Sequence, residues 1–163
     1  MDFRLEPASS EDGTSVIDIF NYYVENTFAA YPEAAVPYEF FGLLMNMCRG
    51  YPFLVAKDEH GQALGFCLLR PHNPSPAFSK TAEITYFIAP EHTRKGIGRK
   101  MLIRLLEDAG EMGITSILAG ISSLNEPSLA FHKNHGFHEC GRFLRIGKKM
   151  GQEFDVVWMQ RMI

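Results

Sequence analysis

Thr93-Arg94-Lys95-Gly96-Ile97-Gly98-Arg99 is the stretch on which the reading of this chain turns. Before it runs Ala82-Glu83-Ile84-Thr85-Tyr86-Phe87-Ile88, β-branched and aromatic, which predicts a strand that Pro90 ends. After it, Ile97, Met101, Leu102, Leu105, Leu106, Ala109 and Met112 fall on one face of a helix that stops at Gly113, while Arg99, Lys100, Arg104, Asp108 and Glu111 take the other. A strand, a loop with two glycines one residue apart and a long helix make a place where main chain can approach a ligand closely. The unpaired N–H groups and dipole of the helix's first turn favour phosphate, and Arg94, Lys95 and Arg99 add positive charge. The same spacing also serves simply to close a tight turn. Met101 stands where a dinucleotide fingerprint has its third glycine, and no P-loop pattern is present.

Toward the N-terminus, Phe3-Arg4-Leu5 predicts a short strand, and Ser9 to Gly13 supplies capping residues before Val16, Ile17, Ile19, Phe20, Tyr23 and Val24 recur at helical spacing. Pro32 and Pro37 bracket a loop, and Phe40, Phe41, Leu43, Leu44 and Met47 predict a second helix ending by Gly50. Residues 53–56 and 63–69 flank the polar turn Asp58-Glu59-His60-Gly61 as an antiparallel hairpin, and a proline-bearing loop runs from Pro71 to Pro76. Toward the C-terminus, Ser116 to Ile121 predicts a buried strand and Pro127 to Asn134 a short helix. A last pair of strands ends in Val156-Val157-Trp158-Met159. Strand, two helices, three strands, helix, strand, helix and two strands imply an α/β fold with a mixed central sheet and helices on both faces.

With 163 residues, 46% hydrophobic and 21% charged, the chain suits one globular domain spanning 1–163, and a net charge of −3 argues against nucleic acid or an anionic membrane as main partner. Cys48, Cys67 and Cys140 lack CxxC spacing, the N-terminus lacks the order of a signal peptide, and no apolar run approaches the ~18 residues of a membrane span. A reduced, cytoplasmic protein is the expectation.

The run from Tyr86 to Gly98 resembles the acetyl-CoA-binding motif of the GNAT superfamily of N-acetyltransferases: a strand, a Q/R-x-x-G-x-G/A loop and a helix. Thr93 replaces the usual Gln or Arg at the loop's first position, which removes a long side chain and leaves the main-chain donors. Asn125-Glu126-Pro127-Ser128-Leu129-Ala130-Phe131-His132-Lys133-Asn134-His135-Gly136-Phe137 resembles the superfamily's second cofactor segment. Within the superfamily, Glu83, His132 and the closing stretch from Gly151 to Arg161 are similar to the phosphinothricin acetyltransferase group, over nearly the whole chain. The chain departs from that group in the loop from Pro71 to Phe78, which lacks its arginines, and at Gln152-Glu153, which replace a usual Arg-Trp.

The resemblance implies the GNAT fold, with a mixed sheet of about seven strands. It implies acetyl-CoA as donor, no metal, and a cleft where one strand splays from its neighbour. It also implies transfer of acetyl to a primary amine, above all the α-amino group of a small amino acid such as phosphinothricin, methionine sulfone or methionine sulfoximine. Cofactor contacts then fall on Phe87, Ile88, Arg94, Lys95, Gly96, Ile97, Gly98, Arg99 and Asn125. An ammonium must lose a proton before it attacks a thioester carbonyl, so Glu83 is the expected base; a strand glutamate also suits a solvated edge. His132 is the second candidate, as acid for the departing thiolate or as base. Phe28 and Tyr31 are candidates to wall the acceptor, though aromatic residues there also suit plain core. His132, His135, His138 and Cys140 superficially suggest a metal cluster, but Gly136 sends the last two off on a new strand. A homodimer is compatible with all of this. The competing readings are a non-catalytic acyl-CoA-binding regulatory domain and a protein or peptide N-acetyltransferase.

Overall fold

Alternation and helical spacing sort the apolar residues onto two sides of a single seven-stranded sheet in a computed structural model that describes residues 2–163. The elements are β1 (Arg4–Pro7), α1 (Gly13–Asn26), α2 (Phe40–Met47), β2 (Phe53–Lys57), β3 (Ala63–Pro71), β4 (Thr81–Ile88), α3 (Ile97–Glu111), β5 (Ser116–Ser122), α4 (Glu126–Asn134), β6 (His138–Lys149) and β7 (Gln152–Met162). Their order is the one the sequence predicts. The sheet runs β1-β2-β3-β4-β5-β7-β6, and every neighbouring pair is antiparallel except β4 and β5.

Two apolar layers cover it. On one face, Ile97, Met101, Leu102 and Leu105 of α3 and Leu129 and Phe131 of α4 pack on Ala82, Ile84, Ile117, Ala119 and Val157. On the other, Val16 and Ile17 of α1 and Phe41 and Leu44 of α2 pack on Val55, Phe66, Leu68 and Phe87. β4 therefore divides its side chains as a strand of period two must: Ile84, Tyr86 and Ile88 with the first layer, Phe87 with the second.

The parallel pairing of β4 and β5 covers only Thr81–Glu83 against Ser116–Leu118. Beyond Glu83, β4 continues to Ile88 on the arm of β3, and β5 continues to Ser122 on the arm of β7. The two strands diverge, and the fold opens a wedge in the middle of its sheet. Helix α3 starts beside the wide end of that wedge, which places the Gly96 loop there.

Candidate active site

The loop entering α3 presents main-chain donors. Arg94 has φ +59° and Gly96 φ +83°, left-handed positions that turn successive N–H groups toward one side. The first hydrogen bond of the helix runs from Lys100 N to Gly96 O at 3.2 Å, so the N–H groups of Ile97, Gly98 and Arg99 precede the helical ladder. A non-glycine residue at Arg94 in that conformation is locally strained, as ligand-holding loops often are. Arg94, Lys95 and Arg99 are exposed around the loop. Gly98 lies close enough to the wedge that a Cβ there would sit 3.2 Å from Ile88 Cδ1 and 3.7 Å from the Phe131 ring.

The wedge-facing edge of β4 carries a second set of main-chain groups. Thr81 O accepts from His72 N at 3.4 Å and Ala89 N donates to Leu64 O at 2.8 Å, so odd-numbered residues face β3 and Tyr86 and Ile88 face the wedge. No β5 residue pairs with those two. Phe87, opposite Phe66, gives its main chain to β3 and its ring to the α1/α2 layer. The Tyr23 hydroxyl donates to Ile88 O at 2.5 Å, and burial pushes its phenol up to about 12, so it stays a donor at neutral pH.

Glu83 lies where the wedge begins, on the α1/α2 side. Arg70 of β3 stands directly opposite, its Nη2 donating to Glu83 Oε2, and His72 Nδ1 lies 3.0 Å from Oε1. Arg70 Nε is buried and, among the described residues, has no hydrogen-bond partner. The His72 ring meets Phe78 and Trp158 edge-on, with centroids at 6.0 and 6.3 Å. Trp158 lies over Gly120 of β5, where a Cβ would sit 3.2 Å from the indole. Phe28 and Tyr31, in the connection from α1 to α2, pack on Phe154 of β7: Tyr31 stacks at 5.6 Å and Phe28 meets it edge-on at 6.2 Å.

His132 sits across the sheet from Glu83. It is 3% exposed, its ring stacked on Tyr86 at 5.4 Å. Nδ1 donates to Ser128 O at 2.7 Å, which leaves Nε2 to accept from the Tyr86 hydroxyl. Burial lowers the His132 pKa, so the ring is neutral at physiological pH, and burial raises the Tyr86 phenol well above its ordinary value. The structure thus separates the two catalytic candidates onto opposite faces of β4 and gives both nitrogens of His132 a partner. Asn125 caps α4, its side chain accepting from Ser128 N at 3.4 Å. His135 Nδ1 donates to Phe131 O at 2.7 Å, and among the described residues no three His, Cys, Asp or Glu side chains are placed to hold a metal ion.

The sequence offers Arg70, Lys80 and Lys148 alike as partners for an acceptor carboxylate in place of the missing loop arginines, and nothing in it singles out His72 or Trp158. Their assembly depends on the β3–β4 register, which the intervening loop of nine residues, His72 to Lys80, leaves open until the strands pair. The pairing of Arg70 with Glu83 across two strands is the signal that was there to find, had the register been known.

Comparison with known proteins fits this geometry. The model of the acetyltransferase (GNAT) family matches residues 16–137. The L-amino acid N-acyltransferase MnaT of Escherichia coli (strain K12) is 30% identical over 155 residues, covering 94% of this chain and 90% of that protein. A crystal structure of a GNAT superfamily phosphinothricin acetyltransferase from Sinorhizobium meliloti in complex with AcCoA superposes with a TM-score of 0.93 at 28% identity, covering 100% of this chain and 89% of that one. A ribosomal-protein-alanine N-acetyltransferase from Brucella melitensis superposes with a TM-score of 0.90 at 34% identity, covering 98% and 99%. A sheet opened between β4 and β5, a main-chain cradle at its mouth and a family match across most of the chain lead to one conclusion: the chain belongs to the acetyltransferase (GNAT) family and is an acetyl-CoA-dependent N-acetyltransferase.

Proposed function

We propose that this enzyme acetylates the α-amino group of a small free amino acid, with Glu83 as the base. The observation that carries the reading is the wedge between β4 and β5, with donors of main chain at its mouth and a carboxylate at its apex. When bound, acetyl-CoA supplies an acetyl group activated as a thioester, so that an N–C bond forms as a C–S bond breaks. The N–H groups of Ile97, Gly98 and Arg99, with Arg94, Lys95 and Arg99 around them, suit a pyrophosphate, and the wedge-facing main chain of Tyr86 with the N–H of Ile88, whose carbonyl Tyr23 already holds, suits the amides of a pantetheine arm.

Glu83 takes the proton that the ammonium must lose, directly or through a water. Arg70 and His72 hold its two oxygens in place. A free amino acid carries an ammonium and a carboxylate on neighbouring carbons, and the Glu83–Arg70 pair presents the opposite charges side by side. Arg70 thereby replaces the loop arginines that this chain lacks. Lys80, three residues ahead of Glu83, and Lys148, in β6 opposite Glu153, are both exposed. His132 acts through Tyr86, seating α4 against the wall of the wedge.

A screen that follows free CoA release over amino acids, simple amines and peptides tests the reading. Preferred turnover of free amino acids such as methionine sulfone supports it. Faster turnover of peptide N-termini overturns it in favour of peptide acetylation, the activity in the name of the Brucella melitensis protein. CoA binding without turnover of any amine leaves the regulatory-domain reading. A homodimer draws support from edge strand β6, where Phe143, Leu144 and Ile146 are exposed, and light scattering in solution checks it. A cytoplasmic location fits three free thiols, two of them buried.

A further inference from the structure

Lys149 ends β6 and is 1% exposed, and among the described residues no carboxylate hydrogen-bonds it. Its ammonium donates instead to three main-chain carbonyls: Val24 O at 2.5 Å, Thr27 O at 2.7 Å and Ala30 O at 2.7 Å. All three belong to the end of α1 or to the turn after it. A helix leaves its last carbonyls without internal partners, an ammonium has three N–H donors, and a cation suits the negative end of the helix dipole. The match is complete in number and in charge, across more than a hundred residues of chain.

The same hairpin end grips the segment a second time. Phe154 of β7 pairs with Gly147 of β6, and a Cβ at Gly147 would sit 2.2 Å from the Phe154 ring, so the glycine makes the room that the ring occupies. On its other side that ring meets Phe28 and stacks on Tyr31. Residues 27–31 have no helix or strand of their own. Beyond Thr27, whose N–H and hydroxyl donate to Tyr23 O at 3.1 and 2.8 Å and whose hydroxyl accepts from Ala29 N at 3.0 Å, the contacts that hold them to the rest of the fold are those of Lys149 and Phe154. One turn back, Tyr23 reaches the wedge at Ile88 O.

We propose that Lys149 is a positioning residue for the acceptor, tying the carbonyls of Val24, Thr27 and Ala30 so that Phe28 and Tyr31 form a fixed wall on the amine side of the site. The proposal rests on the reading of the α1/α2 side of β4 as the acceptor side. It makes the β6–β7 hairpin a part of substrate selection, although neither Lys149 nor Phe154 needs to touch the reacting atoms. An apolar residue of equal length would fill the same space and leave three carbonyls without a donor.

Steady-state kinetics with both substrates varied, and calorimetry with CoA, test it. Lys149→Met is expected to raise the acceptor KM about tenfold while kcat stays within about threefold and CoA affinity is unchanged, because the wall and not the chemistry is lost. Lys149→Arg, which keeps the cation and its donors, is expected to recover most of that loss. An acceptor KM left at the wild-type value in folded Lys149→Met overturns the proposal, as does a fall confined to thermal stability or to the active fraction. Lys149→Gln, which keeps an amide donor, carries the same comparison where Lys149→Met yields no folded protein. Failure of the wild type on every free amino acid overturns the proposed acceptor class instead, and the Lys149 comparison is then made on the amine that is acetylated.

Discussion

On the β5 side of β4, the site consists of main chain: N–H groups of Ile97, Gly98 and Arg99 ahead of the α3 ladder, and the open edge at Tyr86 and Ile88. On the α1/α2 side the proposed acceptor half consists of side chains drawn from five places: Glu83 from β4, Arg70 from β3, His72 from the loop after it, Phe28 and Tyr31 from the α1–α2 connection, and Trp158 and Phe154 from β7. In the proposed function, main chain recognises what every acetyl-CoA shares, and it needs only the right turns and a missing neighbour strand. Side chains there recognise what distinguishes one amine from another, and they need the whole fold to bring them together.

Variants that act on one half alone sharpen this contrast. The largest effect is expected of Glu83→Gln, which keeps shape and removes the proton acceptor: turnover falls about a hundredfold or more, with CoA affinity near wild type by calorimetry. Wild-type turnover in that variant breaks the assignment. Gly98→Val acts on the other half. A Cβ there already meets Ile88 at 3.2 Å, and the added methyl groups intrude on the cradle, so CoA affinity falls at least about tenfold, or ~1.4 kcal/mol. Unchanged affinity in the folded variant removes the loop from the cofactor site.

How much of each half the sequence discloses follows from the same contrast. Gly96 and Gly98 sit one residue apart between a strand and a helix, and the main-chain half is legible from that spacing because its parts are neighbours in sequence. The order of strands and helices is legible for the same reason, from periodicity and from Gly61, Gly113 and Gly136, all at positive φ where a turn or helix end was expected. The divergence of β4 from β5 is not, because it depends on where a parallel pairing stops. The Arg70–Glu83–His72 cluster depends on register, and the cage around Lys149 joins residues 119 to 125 positions apart. Two adjacent lysines at 148 and 149 look alike as letters; pleating turns one out and buries the other.

A smaller effect, confined to the acceptor half, is expected of Arg70→Met. The ratio of kcat/KM for methionine sulfone over its amide falls about tenfold, the size of one lost charge-assisted contact, and because both acceptors need the same base the ratio reports recognition of the carboxylate. A ratio that does not move excludes Arg70 from that role. The smallest effect is one of stability. Burial holds the His132 pKa below the ordinary imidazole value of 6.5, so its contribution to stability is present above that value and is lost as the pH falls through the lower, folded one. His132→Gln should flatten the fall in Tm below about pH 6.5 that this ring produces. An unaltered slope assigns the acid sensitivity to other groups.

The division of labour across β4 is tested most directly by amide hydrogen exchange, followed residue by residue as CoA is added. Slower exchange is expected at Tyr86 and Ile88, which face the wedge, and at Ile97, Gly98 and Arg99, with Phe87 unaffected because its main chain already pairs with Phe66. Saturation with CoA that leaves Tyr86 and Ile88 exchanging as before would contradict it, since the cofactor would then lie outside the wedge.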